Sequence, residues 1–257
     1  YKCWLAHLWW QRFYSNQKTL LQAEYREVNA NTEYSIDFGS TINDDKSSKA
    51  HFFSKLNRSI DFLNFEETEL ILNLEQTTDD TYLKTYKIKS PLIQNKSTLS
   101  TSLEIDAYGE DLYFNANVKS IEDLNKKRSD RFEFIYPSYT IEKELNNIDF
   151  LDGTYVLNSN GYIKNYQTNI FEKIIVNDLH FDSSQNIMKN GLKNNYNILI
   201  KNVNTDSKNS LKYKERKNYT MASIFQYNLS YPLRKSNKNS NSILNPLASI
   251  KFSPNKN

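Results

Sequence analysis

The sequence predicts an all-β protein: an antiparallel, up-and-down transmembrane β-barrel, present as a partial, open and curved barrel of about a dozen strands. Three observations predict it. Apolar and polar residues alternate with a period of two through most of the chain, the pattern of strands with one apolar and one wet face. The alternating runs are about ten residues long, enough to cross a bilayer at a tilt, whereas soluble strands average about five or six. The chain is polar on average, with a mean hydropathy of −0.73, yet 14% aromatic. A disordered chain would be poor in aromatics. A membrane barrel combines an outward apolar band, aromatic girdles and a polar interior. Secreted β-sandwiches and adhesins share part of that character.

The 257 residues suffice for one large all-β domain. The chain starts at Tyr1 without an initiator Met and reads as a piece of something longer. Residues 1–11, YKCWLAHLWWQ, show neither clean alternation nor turn chemistry. Their apolar stretch from Trp4 to Trp10 is too short for a membrane helix and lacks a signal-peptide layout. They are set aside as an atypical segment of doubtful origin, and residues 12–257 are assigned to the partial barrel.

From Thr19 the pattern is regular. Leu21, Ala23 and Tyr25 alternate with Gln22, Glu24 and Arg26. After the turn Asn29-Ala30-Asn31-Thr32, Tyr34, Ile36 and Phe38 alternate with Ser35, Asp37 and Gly39, completing a hairpin with one apolar face. A polar loop over 43–49 leads to a strand around 50–56. Leu70, Leu72 and Leu74 oppose Glu69, Ile71, Asn73 and Glu75 in the next, and a turn at 77–80 leads to an expected strand over 81–86. Residues 87–97 read as a loop holding Pro91. Leu99, Thr101, Leu103, Ile105 and Ala107 then alternate with Ser100, Ser102, Glu104 and Asp106. The stretch 110–139 is a hairpin with a long wet tip. Leu112, Phe114, Ala116 and Val118 oppose Tyr113, Asn115, Asn117 and Lys119 before a break too charged to bury, and Phe132 and Phe134 resume the pattern. Further strands are expected near 148–159, 167–181, 193–204, 219–231 and 246–252.

The charges on the wet face carry physical weight. In lipid each mid-strand charge would be costly, so it must face a lumen or water. By strand parity Gln22, Glu24, Arg26, Ser35, Asp37, Glu104, Asp106 and Lys119 are the candidate lumen-facing residues. Both signs occur among them, which suits a hydrated, amphipathic or sugar-bearing cargo. Tyr34, Tyr82, Tyr86, Tyr113, Phe132, Phe134, Tyr136 and Tyr139 lie toward strand ends and read as an interfacial girdle.

Other chemistries fit less well. The net charge of +3 and the scattered lysines give no nucleic-acid footprint. The single cysteine, Cys3, excludes an internal disulfide framework and a Cys-based zinc site. His51 with Ser54, or His180 with Asp182, would be the raw material of a nucleophilic site, but proximity in sequence does not make a triad. Glu66-Glu67 and Asp79-Asp80 lack the spacing of a calcium loop. No enzyme activity, cofactor or metal is expected. Pro137, Pro232, Pro246 and Pro254 belong at strand ends, edges or bulges.

The chain resembles the outer-membrane lipopolysaccharide-assembly family of the LptD or OstA type, in particular its alphaproteobacterial branch. The resemblance lies in SSKAHFFSKL (47–56), DTYLKTYKIKSPL (80–92), EDLYFNANVKSIEDLNKKRSDRFEFIYPSY (110–139), TNIFEKIIVNDLHF (168–181), GLKNNYNILIKNVNTDSKNSLKYK (191–214), and YPL with KFSP (231–233, 251–254). These segments run in the family's order and span most of residues 12–257. The resemblance implies a very large outer-membrane barrel, part of the translocon that inserts lipopolysaccharide into the outer leaflet. It implies an LptE-type lipoprotein plug, a periplasmic transport bridge of the LptA type, lipopolysaccharide and outer-membrane lipid as partners, and no chemistry on the cargo. The family's periplasmic domain and late strands have no counterpart here, and residues 1–11 do not match the segment expected before Arg12-Phe13-Tyr14. About half a barrel with two unpaired strand edges is therefore expected. The alternatives are a generic porin or receptor barrel and a secreted β-rich carbohydrate-binding adhesin.

Overall fold

The computed structural model describes residues 5–15, 18–43, 48–145, 151–238 and 240–254. Cys3, most of the polar loop expected over 43–49 and the start of the strand expected near 148 lie outside them. The chain is all-β, as its alternation predicts. The first strands are β1 (Leu5–Ser15), β2 (Lys18–Val28), β3 (Thr32–Asn43), β4 (Ser48–Ser59) and β5 (Glu67–Thr77). One helical turn, α1 (Tyr82–Thr85), follows. Then come β6 (Thr98–Tyr108), β7 (Leu112–Asp123), β8 (Phe132–Leu145), β9 (Gly153–Tyr166) and β10 (Ile170–Ser183). The last are β11 (Asn186–Ile187), β12 (Lys193–Lys208), β13 (Asn218–Ser230), β14 (Leu233–Asn237), β15 (Ser240–Leu244) and β16 (Leu247–Phe252).

Each long strand pairs antiparallel with the next in sequence, from β1 through β10, then β12, β13 and β16, in one 14-stranded sheet whose β11 pairs only with β12. The sheet is an open, partial barrel in which, among the described residues, β1 and β16 are the two ends of the pairing path. β16 covers only the last part of β13, from Phe225 to Ser230. Leu5–Ser15 is an ordinary member of the sheet, paired with β2 along its whole length. One expectation fails, and one element was not expected. Residues 81–86 are a helical turn within the loop 78–97, not a strand. The small hairpin β14–β15 was not expected, because its strands are short, Ser- and Asn-rich and exposed along their described length, leaving no apolar parity to read.

Cross-strand register sorts the side chains into two faces. Glu104 and Asp106 lie opposite Asn117 and Asn115, while Leu103 and Ile105 lie opposite Val118 and Ala116. The apolar face carries exposed large side chains, including Leu21, Phe38, Phe52, Leu103 and Val118. Its apolar row steps along the strands as it crosses the sheet. Phe38 pairs with Phe52. Further along β4, Leu56 continues to Leu72, Leu103 and Val118. Beyond the bulge of β8 the row is Leu157, Leu179 and Ile200. Leu56, Leu72, Leu103 and Val118 are direct register partners, so the row shifts only between Phe52 and Leu56 and again across the bulge of β8, in one direction, as tilted strands do when they cross a flat apolar band. Near one end of the strands the rings of Tyr155, Phe181, Tyr196 and Phe225 form a chain across β9 to β13, with centroids 4.4–6.3 Å apart. Phe132, Phe134 and Tyr136 stack near the other end of β8.

Two local devices shape this wall. β8 slips register between Ile135 and Ser138, and Pro137 sits in the slip, where its missing N–H removes no ladder bond. Gly161 pairs with Tyr139, whose Cε1 would lie 2.9 Å from an added Cβ. The ring thus covers a bare stretch of backbone on the apolar face.

Candidate functional site

All eight residues expected on the wet face share the polar face. Gln22, Glu24 and Arg26 lie opposite Gly39, Asp37 and Ser35 on β2–β3, and Lys119 lies opposite Ser102 on β6–β7. They form two groups separated by β4 and β5. On β6–β7 the carboxylates are met by carboxamides: Asn115 Nδ2 donates to Glu104 at 2.7 Å and Asp106 at 3.2 Å, and Asn117 Nδ2 donates to Glu104 at 3.1 Å. Farther along, Lys164 pairs with Glu133 at 2.8 Å and Lys201 with Asp178 at 2.7 Å. The face is wet, holds both signs of charge, and compensates most of that charge itself.

The group on β2–β3 is covered. Gln22, Ser35 and Asp37 are buried because the loop 78–97 lies over them. The loop starts with Asp79, which accepts from the Thr81 N–H at 3.0 Å and the Thr81 hydroxyl at 2.9 Å. That local turn favours the helical geometry that follows. Tyr82 and Tyr86, four apart, bring their rings to 5.3 Å. Tyr82, Leu83 and Ile88 then pack with Leu20, Phe53, Leu99 and Leu124 into the main buried apolar cluster among the described residues. Hence the core lies between one loop and one face of a sheet. Tyr82 and Tyr86 belong to this inward loop, so they are not members of an interfacial girdle.

A closed polar chain sits at the centre. Gln22 Nε2 donates to both Asp37 oxygens at 3.0 Å and to the Lys89 carbonyl at 3.1 Å. His51 Nε2 lies 3.2 Å from Asp37 Oδ1, and its Nδ1 lies 3.1 Å from Tyr82 Oη. Every group is satisfied when Nε2–H donates to Asp37 and the Tyr82 hydroxyl donates to Nδ1. Burial pushes the Tyr82 phenol well above its ordinary range, so it stays a donor. The His51 and Asp37 side chains are 0% exposed, so this chain ties the loop to the wall and has no access to solvent. Ser54 stands on the apolar face, opposite Ile36, so His51 and Ser54 do not form a nucleophilic pair. Among the described residues no three His, Cys, Asp or Glu side chains converge on a metal position.

Gly39 makes room for the imidazole. A Cβ there would meet His51 Cε1 at 2.6 Å and the Leu21 carbonyl at 3.1 Å. Gly39→Ala is therefore expected to destabilise the protein by about 1–3 kcal/mol through overpacking, read by urea unfolding in lipid vesicles.

Ion pairs tether the loop at its root. Lys49 Nζ lies 2.8 Å from Asp79, and Arg131 Nη1 lies 2.6 Å from Asp80. The paired carboxylates of the sequence are therefore anchors. The Lys49 hydrogen bond, aided by Thr81, holds the Asp79 carboxyl below its ordinary value. A depressed carboxyl contributes stability above the ordinary carboxylate range and loses it as pH falls through the folded value. Both partners are 31% exposed, so the tether is worth at most about 1 kcal/mol. Hydrogen exchange in 78–97, corrected for intrinsic rates, should rise a few-fold from pH 7 to pH 3. Asp79→Asn should show the faster exchange already at pH 7; exchange matching the wild type there would mean that the tether contributes nothing.

No family model matches this chain, and no curated protein matches it.

Proposed function

We propose that the chain is the barrel part of an outer-membrane translocon that inserts lipopolysaccharide into the outer leaflet, as its resemblance to the LptD or OstA type suggests. The observation that carries the reading is the inversion of the two faces: large apolar side chains are exposed on one, while charged and amide side chains are ordered on the other. A protein dissolved in water does the opposite. A wall with lipid outside and water inside does this. The stepped apolar row and the ring chain of Tyr155, Phe181, Tyr196 and Phe225 add support, as a tilted band and a girdle. In this reading the polar face lines the conduit, an LptE-type lipoprotein fills it, an LptA-type bridge supplies the cargo, and no bond of the cargo is made or broken.

A photo-crosslinking residue at Asn117, on the polar face, tests the reading in a Gram-negative cell producing the whole protein. It should capture lipopolysaccharide or a small lipoprotein, and the same residue at Val118, which faces the surrounding membrane, should capture no lipoprotein. If the intact protein is monodisperse in plain buffer, both barrel readings fail. If it needs detergent but Asn117 captures neither partner, a porin or receptor barrel replaces the translocon.

A further inference from the structure

Beside the seated loop the polar face holds a second feature that the conduit does not require. A cavity of about 370 Å³ opens where β6, β7, β8 and β9 meet the 124–131 loop. Its wall includes Asp123, Lys126, Arg131, Phe132, Lys164 and Tyr166. We infer that this cavity is a saccharide-binding site, taking a neutral sugar of one or two rings.

Size and charge come first. About 300–1,000 Å³ is the range of small-ligand pockets, and this cavity lies at its lower end. With Asp130 and Glu133, the lining carries three carboxylates and three cations. Most are already paired: Lys164 with Glu133 at 2.8 Å, Lys126 with Asp123 at 3.6 Å, and Arg131 with Asp80 and Glu122. With every cation paired, the site has no charge left to recruit an anion, and its one unpaired carboxylate, Asp130, can accept from hydroxyls of a polar ligand.

Donors, acceptors and a flat ring complete the case. Asp130 and Gln167 line the same cavity, and among the described residues their side chains make no hydrogen bond, so they can meet ligand hydroxyls. The Tyr166 ring is fixed from both sides: Lys164 Nζ lies 4.5 Å from its centroid, and its hydroxyl donates to Glu172 at 3.0 Å. A rigid ring suits the C–H face of a pyranose, while planar carboxylate and amide groups suit its adjacent hydroxyls. This site goes beyond the translocon reading and does not depend on it.

The test uses the full chain in an amine-oxide detergent, because maltoside headgroups would compete. Maltose is titrated by calorimetry, with inorganic phosphate as the second probe. Saturable maltose binding is expected, with no phosphate binding. Tyr166→Leu should weaken it at least tenfold. Asp130→Asn removes the one unpaired carboxylate of the lining, and it should weaken maltose binding while tryptic cleavage of 78–97 stays at the wild-type rate. Gln167→Ala, an exposed change, should also weaken it and guards against misfolding in the other two. The assignment is overturned if the wild type shows no saturable maltose binding, if these variants bind as the wild type does, or if phosphate binds in maltose's place. None of those results touches the lipopolysaccharide crosslinking at Asn117.

Discussion

Leu83→Ala is expected to free the 78–97 loop from the polar face. Leu83 is 0% exposed and packs in the cluster with Leu20, Phe53, Tyr82, Ile88, Leu99 and Leu124. Truncating a buried leucine costs about 2–5 kcal/mol, the lost transfer energy plus the cavity left behind. Here the whole loss falls on one attachment, since the strands keep their own ladders when the loop leaves. Lys84, Lys87 and Lys89 all lie in the loop, so trypsin reports its open population directly. Cleavage should accelerate more than tenfold, and barrels in a planar bilayer should conduct more. Tyr82→Phe separates packing from the polar chain. It keeps the ring in the apolar cluster and removes only the hydroxyl that meets His51, so its effect should be about 1–3 kcal/mol, the cost of leaving the buried Nδ1 without a partner. If Leu83→Ala is cleaved at the wild-type rate, the apolar cluster is not what holds the loop.

How far the sequence carried this picture depends on which force writes the pattern. The strands were legible because two solvents act on alternate residues. Leu103 and Glu104 are neighbours that cannot exchange faces, so parity fixed both without any knowledge of their partners. The same logic put Gln22 and Asp37 on one face. It was silent on their burial, because burial comes from a segment far along the chain. The loop was misread for a physical reason. In Thr81-Tyr82-Leu83-Lys84-Thr85-Tyr86, the β-branched and aromatic residues favour a strand, yet Tyr82 and Tyr86 also stand one helical turn apart. Asp79 decides between the two by accepting from the Thr81 N–H and hydroxyl. The meeting of His51 with Asp37 was not legible either. It is a diagonal contact between strands, set by the pairing of Gly39 with His51 and of Asp37 with Phe53. Residue spacing does not encode a diagonal until the register is known. β1 hid its strand differently: over residues 5–15 the sequence shows no clean alternation of apolar and polar residues.

The assignment of the two faces makes the second large prediction, and it turns on adjacent residues of β6. Leu103 lies on the apolar face and Ser102 on the polar face. Leu103→Arg should cost about 2–4 kcal/mol if its position lies near the middle of a bilayer, because the guanidinium loses water and finds no partner in hydrocarbon. Ser102→Arg should stay within about 0.5 kcal/mol, since the new side chain reaches water and the carboxylates of the polar face. Urea unfolding in lipid vesicles measures both. Leu103 is 41% exposed, and this number makes the comparison decisive. Were the apolar face bathed in water, an arginine there would replace a half-exposed leucine at little cost, and the two variants would behave alike. Were that face the dry centre between two stacked sheets, Leu103 would be buried, and both the size and the charge of arginine would be punished in buffer without any lipid. Only lipid outside and water inside makes Leu103→Arg costly in vesicles while sparing its neighbour. The same asymmetry should recur at Val118 and Asn117, paired with Leu103 and Glu104 across the strands. A penalty at Leu103 that is absent at Val118 would mean that the apolar row is not one continuous lipid contact.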